Sequence, residues 1–284
     1  MSKRPVFTLP VHADPCPQLI IERGPTGVGV GSWVPQFKHT YLAKYIDGTR
    51  KAQVKFPRRV LIDPFCGPGR IQVHGEAFTR DGGTMVAWRQ SVQSRCPFTD
   101  ILIGDLDDDR SRACEARLRA VQAPVTRFDG PATETAIRMA AAVPRGALCL
   151  AYIDPHNLEF LSFSIIERLA LLPHVDFAVH FSLMDLSRNV DMELDPERDR
   201  FNGANPGWRD RCPKNASKAS LAAWFFNDWR DRIARLGFSV SEEMPLVPNE
   251  QGRPLYRLVF FSRHALPERI WGDIARSPNL AFDF

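Results

Sequence analysis

From about Phe37 onward, short apolar runs alternate with amphipathic stretches. The runs are "RVLID", "TDILIGD", "PVTRFD", "ALCLAYID" and "HVDFAVHFSL". Between them, apolar positions recur with helical spacing around residues 84–92, 107–121, 133–143 and 162–171. Nearly continuous apolar strands separated by helices predict a parallel sheet covered on both faces. Residues 184–217 break this rhythm, being rich in Arg, Asp, Asn and Pro and too long for an ordinary connection. They form a candidate substrate lid. The next helix, over residues 218–236, spaces Leu221, Trp224, Phe225, Trp229, Ile233 and Leu236 as a stripe suited to core packing. "FSVSEEMPLV" and "LYRLVFFS" read as two strands joined by the turn-rich "PNEQGRP", which makes the last strand antiparallel. Residues 1–35, dense in Pro and Gly and without period, read as an arm or loosely packed extension of a domain over 36–284.

Composition narrows the class. A chain of 284 residues that is 44% hydrophobic and 10% aromatic can bury a full core, and one domain is expected. Lys and Arg number 37 against 33 acids, a net charge of +4, which permits a polyanionic partner without demanding one. The six cysteines stand singly with no C-x-x-C pair, against a zinc cage or a disulfide framework, so no metal is expected. The first residues lack a basic region followed by an apolar core, and stretches such as 147–153 are too short to span a bilayer. The expectation is a cytoplasmic protein with no membrane contact.

The chemistry concentrates in "VLIDPFCGPGR", residues 60–70. In doubly wound sheets ligands bind at the carboxyl ends of the strands, and the first strand feeds a glycine turn. Gly67 and Gly69 let the backbone approach a ligand, and Pro64 and Pro68 stiffen the turn. A dinucleotide fingerprint needs a third glycine where Gln72 stands, and no G-x-x-x-x-G-K-S/T phosphate loop is present. These absences argue against a pyrophosphate. A nucleoside with a positive centre and an amino-acid tail, S-adenosylmethionine, suits the remaining features. Asp63 is expected to face the amino group or its waters. Asp105 and Asp107, flanking Leu106, are placed for the ribose hydroxyls, and Asp129 for the exocyclic amine of adenine. The fourth strand ends "YIDPHN". Amino-methylating enzymes carry Asp or Asn, Pro-Pro and an aromatic residue there; here His156 replaces the second Pro and Asn157 the aromatic, so base stacking by that residue is lost. Asp154 is the candidate for orienting an acceptor amine, and His156 for taking its proton.

"KHTYLAKYI", "LIDPFCGPGR", "AYIDPHNLEF", "VDFAVHFSLMDLSRN" and "LYRLVFFSRHALPERIWGDI" together resemble the three-Cys-motif partner protein family, TcmP, over roughly residues 37–274. The resemblance implies a Rossmann-like class I methyltransferase fold, with a seven-stranded, mostly parallel sheet and an antiparallel last strand. It also implies S-adenosylmethionine as cofactor and a partner protein bearing three cysteines, and it supplies no defined substrate. Asp63, Phe65, Gly67 and Gly69 match the family's first motif, and Asp154 and Pro155 its fourth. Cys66 stands where a small residue such as Ala is usual. Lys38 and His39 match a pair in the amino-terminal helix that would lie over the cofactor.

Two readings follow. The first is an S-adenosylmethionine-dependent methyltransferase acting on an amino group of a nucleic acid base or on a partner-bound substrate. Its nucleic-acid contacts would be Arg50, Lys51, Lys55, Arg58 and Arg59 before the first strand and Arg209, Arg211, Lys214 and Lys218 in and beside the lid, with Trp208 available to stack. The second is a non-catalytic S-adenosylmethionine-binding subunit. A metal-dependent nuclease would need a further acid and a lysine near Asp154, which the sequence does not show.

Overall fold

The computed structural model describes residues 8–248, 252 and 254–276. Its strands, in chain order, are β1 (Arg59–Asp63), the short antiparallel pair β2 (Arg70–Gln72) and β3 (Thr79–Asp81), β4 (Asp100–Asp105), β5 (Val125–Asp129), β6 (Leu148–Ile153), β7 (Val175–Ser182), β8 (Ser239–Val240), β9 (Leu246–Pro248) and β10 (Pro254–Ser262). The α-helices are α1 (Thr40–Gln53), entered through a π-helical turn at Val34–His39, then α2 (Gly83–Gln93), α3 (Asp108–Ala120), α4 (Ala132–Ala142), α5 (Phe163–Leu169), α6 (Leu183–Asn189), α7 (Trp208–Arg211), α8 (Lys218–Arg235) and α9 (Ala265–Arg276).

The main sheet runs β5-β4-β1-β6-β7-β10-β8, with β9 also beside β10. β5, β4, β1, β6 and β7 are parallel, and β10 is antiparallel to β7, Tyr256 facing Ser182 and Phe261 facing Phe177. This is the expected Rossmann-like α/β arrangement with one difference in strand count. β7 covers one edge of β10, and β8 and β9 share the other, β8 beside Phe261 and Ser262, β9 beside Pro254, Tyr256 and Arg257. They are two pieces of the single strand expected from "FSVSEEMPLV". The run breaks at 241–245, where two glutamates and Pro245 interrupt the apolar pattern and the proline has no N–H to give a ladder. Of the expected connector "PNEQGRP", residues 249–251 and 253 lie outside the described residues.

Period-two alternation divides the core. Leu61, Ile101, Ile103, Leu150 and Tyr152 point to one face, where they join Tyr41, Tyr45, Met85, Leu118 and Trp271 from the helices. Val60, Ile62, Leu102, Cys149, Ala151 and Ile153 point to the other, against Met139, Ile166, Phe225 and Trp229. The α8 stripe is core as expected, with Leu221, Phe225, Trp229 and Ile233 buried. Trp208 is fully buried too, its ring 5.2 Å from that of Phe225, so it is a core residue and not a stacking platform.

Residues 8–33, read from the sequence as a loose arm, pack against α3 and the β2–β3 pair. Glu22 and Val30 make isolated parallel bridges to Ile71 and Val73. The wholly buried Arg117 of α3 donates to both oxygens of Asp14 at 2.9 Å and to the carbonyls of Ile20 and Pro68. Desolvation works against the Asp14 charge, but the Arg117 hydrogen bonds hold its pKa below the usual carboxylate value. A buried guanidinium with several acceptors needs a fixed partner, and that requirement pins an otherwise patternless segment.

Candidate functional site

The chain leaves β1 for β4 and β5 on one side of the sheet, then crosses back to β6 and β7 on the other. The crevice of a doubly wound sheet opens at such a reversal, beyond the carboxyl ends of the strands. A cavity of about 630 Å³ lies there. Its walls are the turn from Phe65 to Ile71, Gly82 and Gly83 at the start of α2, Asp154 to Asn157 after β6, one side of α6 from Met184 to Asn189, Leu255 and Tyr256 of β10, and parts of the amino-terminal segment between Glu22 and His39.

The glycine turn is built from below. Asp63 is buried, and its carboxylate accepts from the backbone N–H of Phe65 at 3.0 Å and from the Thr84 hydroxyl at 2.5 Å. It therefore shapes the turn and is not on the cavity wall, which corrects the expectation that it faces the ligand. Burial pushes its pKa up to about 7. Gly67 and Gly69 have φ of 55° and 73°, the left-handed region that favours glycine. A side chain at Gly67 would meet only the Arg110 guanidinium, at 3.5 Å, so the wall is open there. One at Gly69 would meet Cys114 of α3 at 3.1 Å, so this glycine lets the helix pack close. Cys66 and Cys114 are both buried, and burial raises the Cys66 pKa well above the ordinary thiol value, as suits a small filler. The sequence predicts the next helix around residues 84–92, where α2 lies; between it and the glycine turn the structure adds β2 and β3, which return the chain so that the Gly82 N–H donates to the Gly69 carbonyl at 2.9 Å.

The strand-end acids divide. Asp105 accepts from the Gly67 N–H and the Asp107 N–H, both at 3.0 Å, and burial raises its pKa. Asp107 caps α3 by accepting from the N–H groups of Asp109 and Arg110. Leu106 is exposed, and Asp129 is exposed and paired with Arg127. None of these four lines the cavity. Glu22 does, and sequence reasoning missed it because it sits in a stretch without periodicity. Its carboxylate accepts from the Gly24 N–H at 2.6 Å and pairs with Arg110. Burial opposes its charge, but Arg110 keeps its pKa below the usual value.

Opposite the glycine turn, the sequence-expected Lys38, His39, Asp154, His156 and Asn157 come together on one wall. Lys38 Nζ lies 3.0 Å from Oδ1 and 2.8 Å from Oδ2 of Asp154. His180 Nδ1 lies 2.8 Å from Oδ1, and the Tyr152 hydroxyl donates to Oδ2 at 3.0 Å. Burial alone would raise the Asp154 pKa, but Lys38 and His180 hold it far below the carboxylate range. A carboxylate has about four lone-pair sites, and these contacts use them all. Asp154 is thus a fully bonded anchor, where the sequence expected an acceptor open to a substrate amine. Burial lowers the pKa of His180 against the pull of Asp154, and takes that of His39 down to about 3, so both imidazoles are neutral at neutral pH. His156 is exposed on the wall and makes no hydrogen bond among the described residues. Asn157 caps a short 3₁₀ turn at Leu158–Phe160.

The charges expected to hold nucleic acid lie elsewhere. Lys51 lies in the last turn of α1 and Lys55, Arg58 and Arg59 lead into β1; none of them lines the cavity, and Arg58 pairs with Asp100. In the 184–217 segment only Met184, Asp185, Arg188 and Asn189 reach the cavity. Arg209 donates to the Glu193 carbonyl at 2.6 Å, and Arg211 pairs with Asp228 at 2.6 Å and donates to the carbonyls of Pro206 and Gly207. Lys214 is exposed and off the cavity. These side chains fold the segment onto α8, so most of it is a packed excursion. No cluster among the described residues could hold a metal, and no helix among them is long and apolar enough to cross a membrane.

No protein-family model matches the chain, and no curated protein matches it. Among solved structures, it is similar to the O-methyltransferase from Bacillus cereus in complex with SAH, at 9% identity and a TM-score of 0.46, covering 79% of this chain and 80% of that one. It is similar to LPL1258 from Legionella pneumophila at 10% identity and 0.47, covering 82% and 88%. It is similar to cofactor-bound Rv0187 from MTB at 12% identity and 0.42, covering 80% and 81%.

Proposed function

We propose that the chain is an S-adenosylmethionine-dependent methyltransferase whose acceptor is an amino group, on a nucleic acid base or on a substrate presented by a three-Cys-motif partner protein. The observation that carries the reading is one cavity at the sheet's reversal point, walled on one side by Gly67 and Gly69 and on the other by the Lys38–Asp154–His180 cluster.

The residues fit the cofactor. The wall is open beside Gly67, where a backbone can approach a ligand without a Cβ, and the volume lies within the range of small-molecule sites. Phe65, Cys66, Gly67, Gly69 and the start of α2 would hold the amino-acid end, and Glu22 is the carboxylate placed for ribose hydroxyls, with Asp105 behind it fixing the Gly67 N–H. When bound, S-adenosylmethionine supplies a methyl group on sulfonium: the new N–C bond forms as the C–S bond breaks, the electron pair returns to sulfur, and S-adenosylhomocysteine is the product.

The chain's own work is positioning and proton removal. Asp154 fixes Lys38 and His180 so that neither cation nor ring wanders in the cavity. His156, exposed and without a hydrogen bond, takes the proton that the methylated amine must shed. Closure by residues 22–39 and α6 keeps water from the reacting atoms.

Titration with S-adenosylhomocysteine tests the reading. Ligand at about 100 times its dissociation constant should stabilise the fold by about 2.7 kcal/mol. No thermal shift at millimolar ligand would remove it. Binding without transfer of labelled methyl to any nucleic acid, protein or partner-bound acceptor would favour the non-catalytic subunit.

A further inference from the structure

Two buried polar atoms on the cavity wall have no hydrogen-bond partner among the described residues, Nδ1 of His39 and the hydroxyl of Tyr256. Their residues are only 2% and 1% exposed. An unmet buried polar group is costly, and two beside one cavity point to a ligand that meets them. The wall around them is aromatic. The ring centroids of Trp33 and Tyr256 lie 5.1 Å apart at 59° and those of Tyr256 and His180 4.1 Å at 71°, which leaves no slot between them but makes an aromatic corner. The Lys38 charge beside this face is already taken by Asp154, and burial keeps His39 neutral and the Tyr256 phenol protonated. This part of the wall therefore offers hydrogen bonds without net charge, which suits a neutral planar ring with polar edges.

The exposed rim differs. Arg188 of α6 lines the cavity, and its guanidinium makes no hydrogen bond or ion pair among the described residues. Lys38, Arg70 and Arg110, which also line the cavity, are each paired with an acid. A free guanidinium at the mouth of an uncharged aromatic pocket fits a ligand with a flat neutral end and an anionic end.

We infer that this half of the cavity is the acceptor pocket and that it takes the base of a nucleotide. The ring fits into the corner of Trp33, Tyr256 and His180, its edge bonds to His39 Nδ1 and the Tyr256 hydroxyl, and its phosphate meets Arg188. The inference rests on the methyltransferase reading of the same cavity. A free nucleoside monophosphate and a base extruded from a single strand present the same chemistry.

The test is calorimetry on the full chain with AMP, GMP, CMP and UMP, the matching nucleosides, and short single-stranded RNA and DNA, each with and without S-adenosylhomocysteine. At least one monophosphate or strand should bind. Tyr256→Phe removes only an unpartnered hydroxyl, so it should keep or raise Tm while weakening that binding roughly five- to tenfold. Arg188→Glu should weaken the phosphate-bearing ligands and spare the nucleoside. Binding of strands but not monophosphates assigns the base to a polynucleotide, and the reverse assigns a free nucleotide. If S-adenosylhomocysteine binds and no nucleotide does, or if Tyr256→Phe binds nucleotides as tightly as the parent, the acceptor inference falls and the methyltransferase reading stands. If nucleotides bind and S-adenosylhomocysteine does not, the base pocket stands and the methyltransferase reading falls.

Discussion

Lys38 Nζ sits 2.8 Å from Oδ2 of Asp154, tying the turn before α1 to the end of β6 across 116 residues of sequence. Neither side chain is more than 15% exposed, so each depends on the other to keep its charge. Asp154→Ala should spare S-adenosylhomocysteine binding, because the glycine turn is untouched. Methyl transfer should fall by about 100-fold or more, because Lys38 and His180 lose their anchor at the acceptor side. Isothermal titration and a labelled-methyl assay on one preparation separate the two effects. Equal loss of both would place Asp154 at the cofactor.

Glu22 and Asp105 make a second, sharper contrast. Glu22 lines the cavity, whereas Asp105 acts through the Gly67 N–H. Glu22→Gln should weaken S-adenosylhomocysteine binding by about 1.5–3 kcal/mol, the range for a hydrogen bond to a charged group. Asp105→Asn keeps an oxygen for the Gly67 N–H and gives up the one that the Asp107 N–H uses, a loss at the start of α3, so the ligand's affinity should fall by less than about 1 kcal/mol. The reverse order in a titration would restore the strand-end acid to the ribose.

The difference between those two residues shows what the sequence could carry. The sheet was legible because each apolar run has both faces covered, so burial writes itself into consecutive positions such as Val60 to Ile62. The glycine turn and the Lys38, His39, Asp154 and His156 set were legible from residue type at strand and helix ends. Direction was not. Asp63, Asp105, Asp107 and Asp154 look alike in sequence, yet one supports the turn, one holds Gly67, one caps α3, and one is saturated by Lys38, His180 and Tyr152. Arg209 and Arg211 look like a basic surface, but their partners Glu193 and Asp228 lie 16 and 17 residues away. Charge composition cannot distinguish a cation that faces the cavity, as Arg188 does, from one spent inside the fold. Glu22 was hidden because the packing of its segment comes from Arg117, far along the chain.

Arg117 is the test of that packing. Replacing it with Met keeps much of its bulk in α3 but leaves Asp14 beside Arg70 alone, with Nε 3.9 Å away. Removing one partner of a buried pair costs about 3–5 kcal/mol. Arg117→Met should therefore lower stability in urea by that order. It should also make residues 8–33 the first site of proteolysis, and weaken S-adenosylhomocysteine binding because Pro68 loses its donor. Unchanged protease resistance of the segment would show that the bridges from Glu22 and Val30 hold it unaided.

Asp63 gives the pH dependence its sign. Its folded-state pKa, raised to about 7, lies above the unfolded value near 3.8, so between these values the folded chain holds a proton that the unfolded chain has released. The stabilising contribution is complete below about pH 4 and is lost as pH rises through 7. His39 and His180 run the other way, since their pKa values are lowered and folding favours their neutral forms as pH rises. Only a difference between variants isolates Asp63. Asp63→Asn keeps an oxygen for the Phe65 N–H, turns its NH2 to donate to the Thr84 hydroxyl oxygen, and removes the charge. Relative to the parent, its stability should rise by on the order of 2–4 kcal/mol between pH 4.5 and pH 8, from about three pKa units at 1.36 kcal/mol each with allowance for relaxation. Urea unfolding at those two pH values reads the difference directly. A variant that gains nothing at the higher pH would mean that the Asp63 carboxylate is solvated or charge-paired in the folded chain, and that the glycine turn is not supported from below by a proton-holding acid.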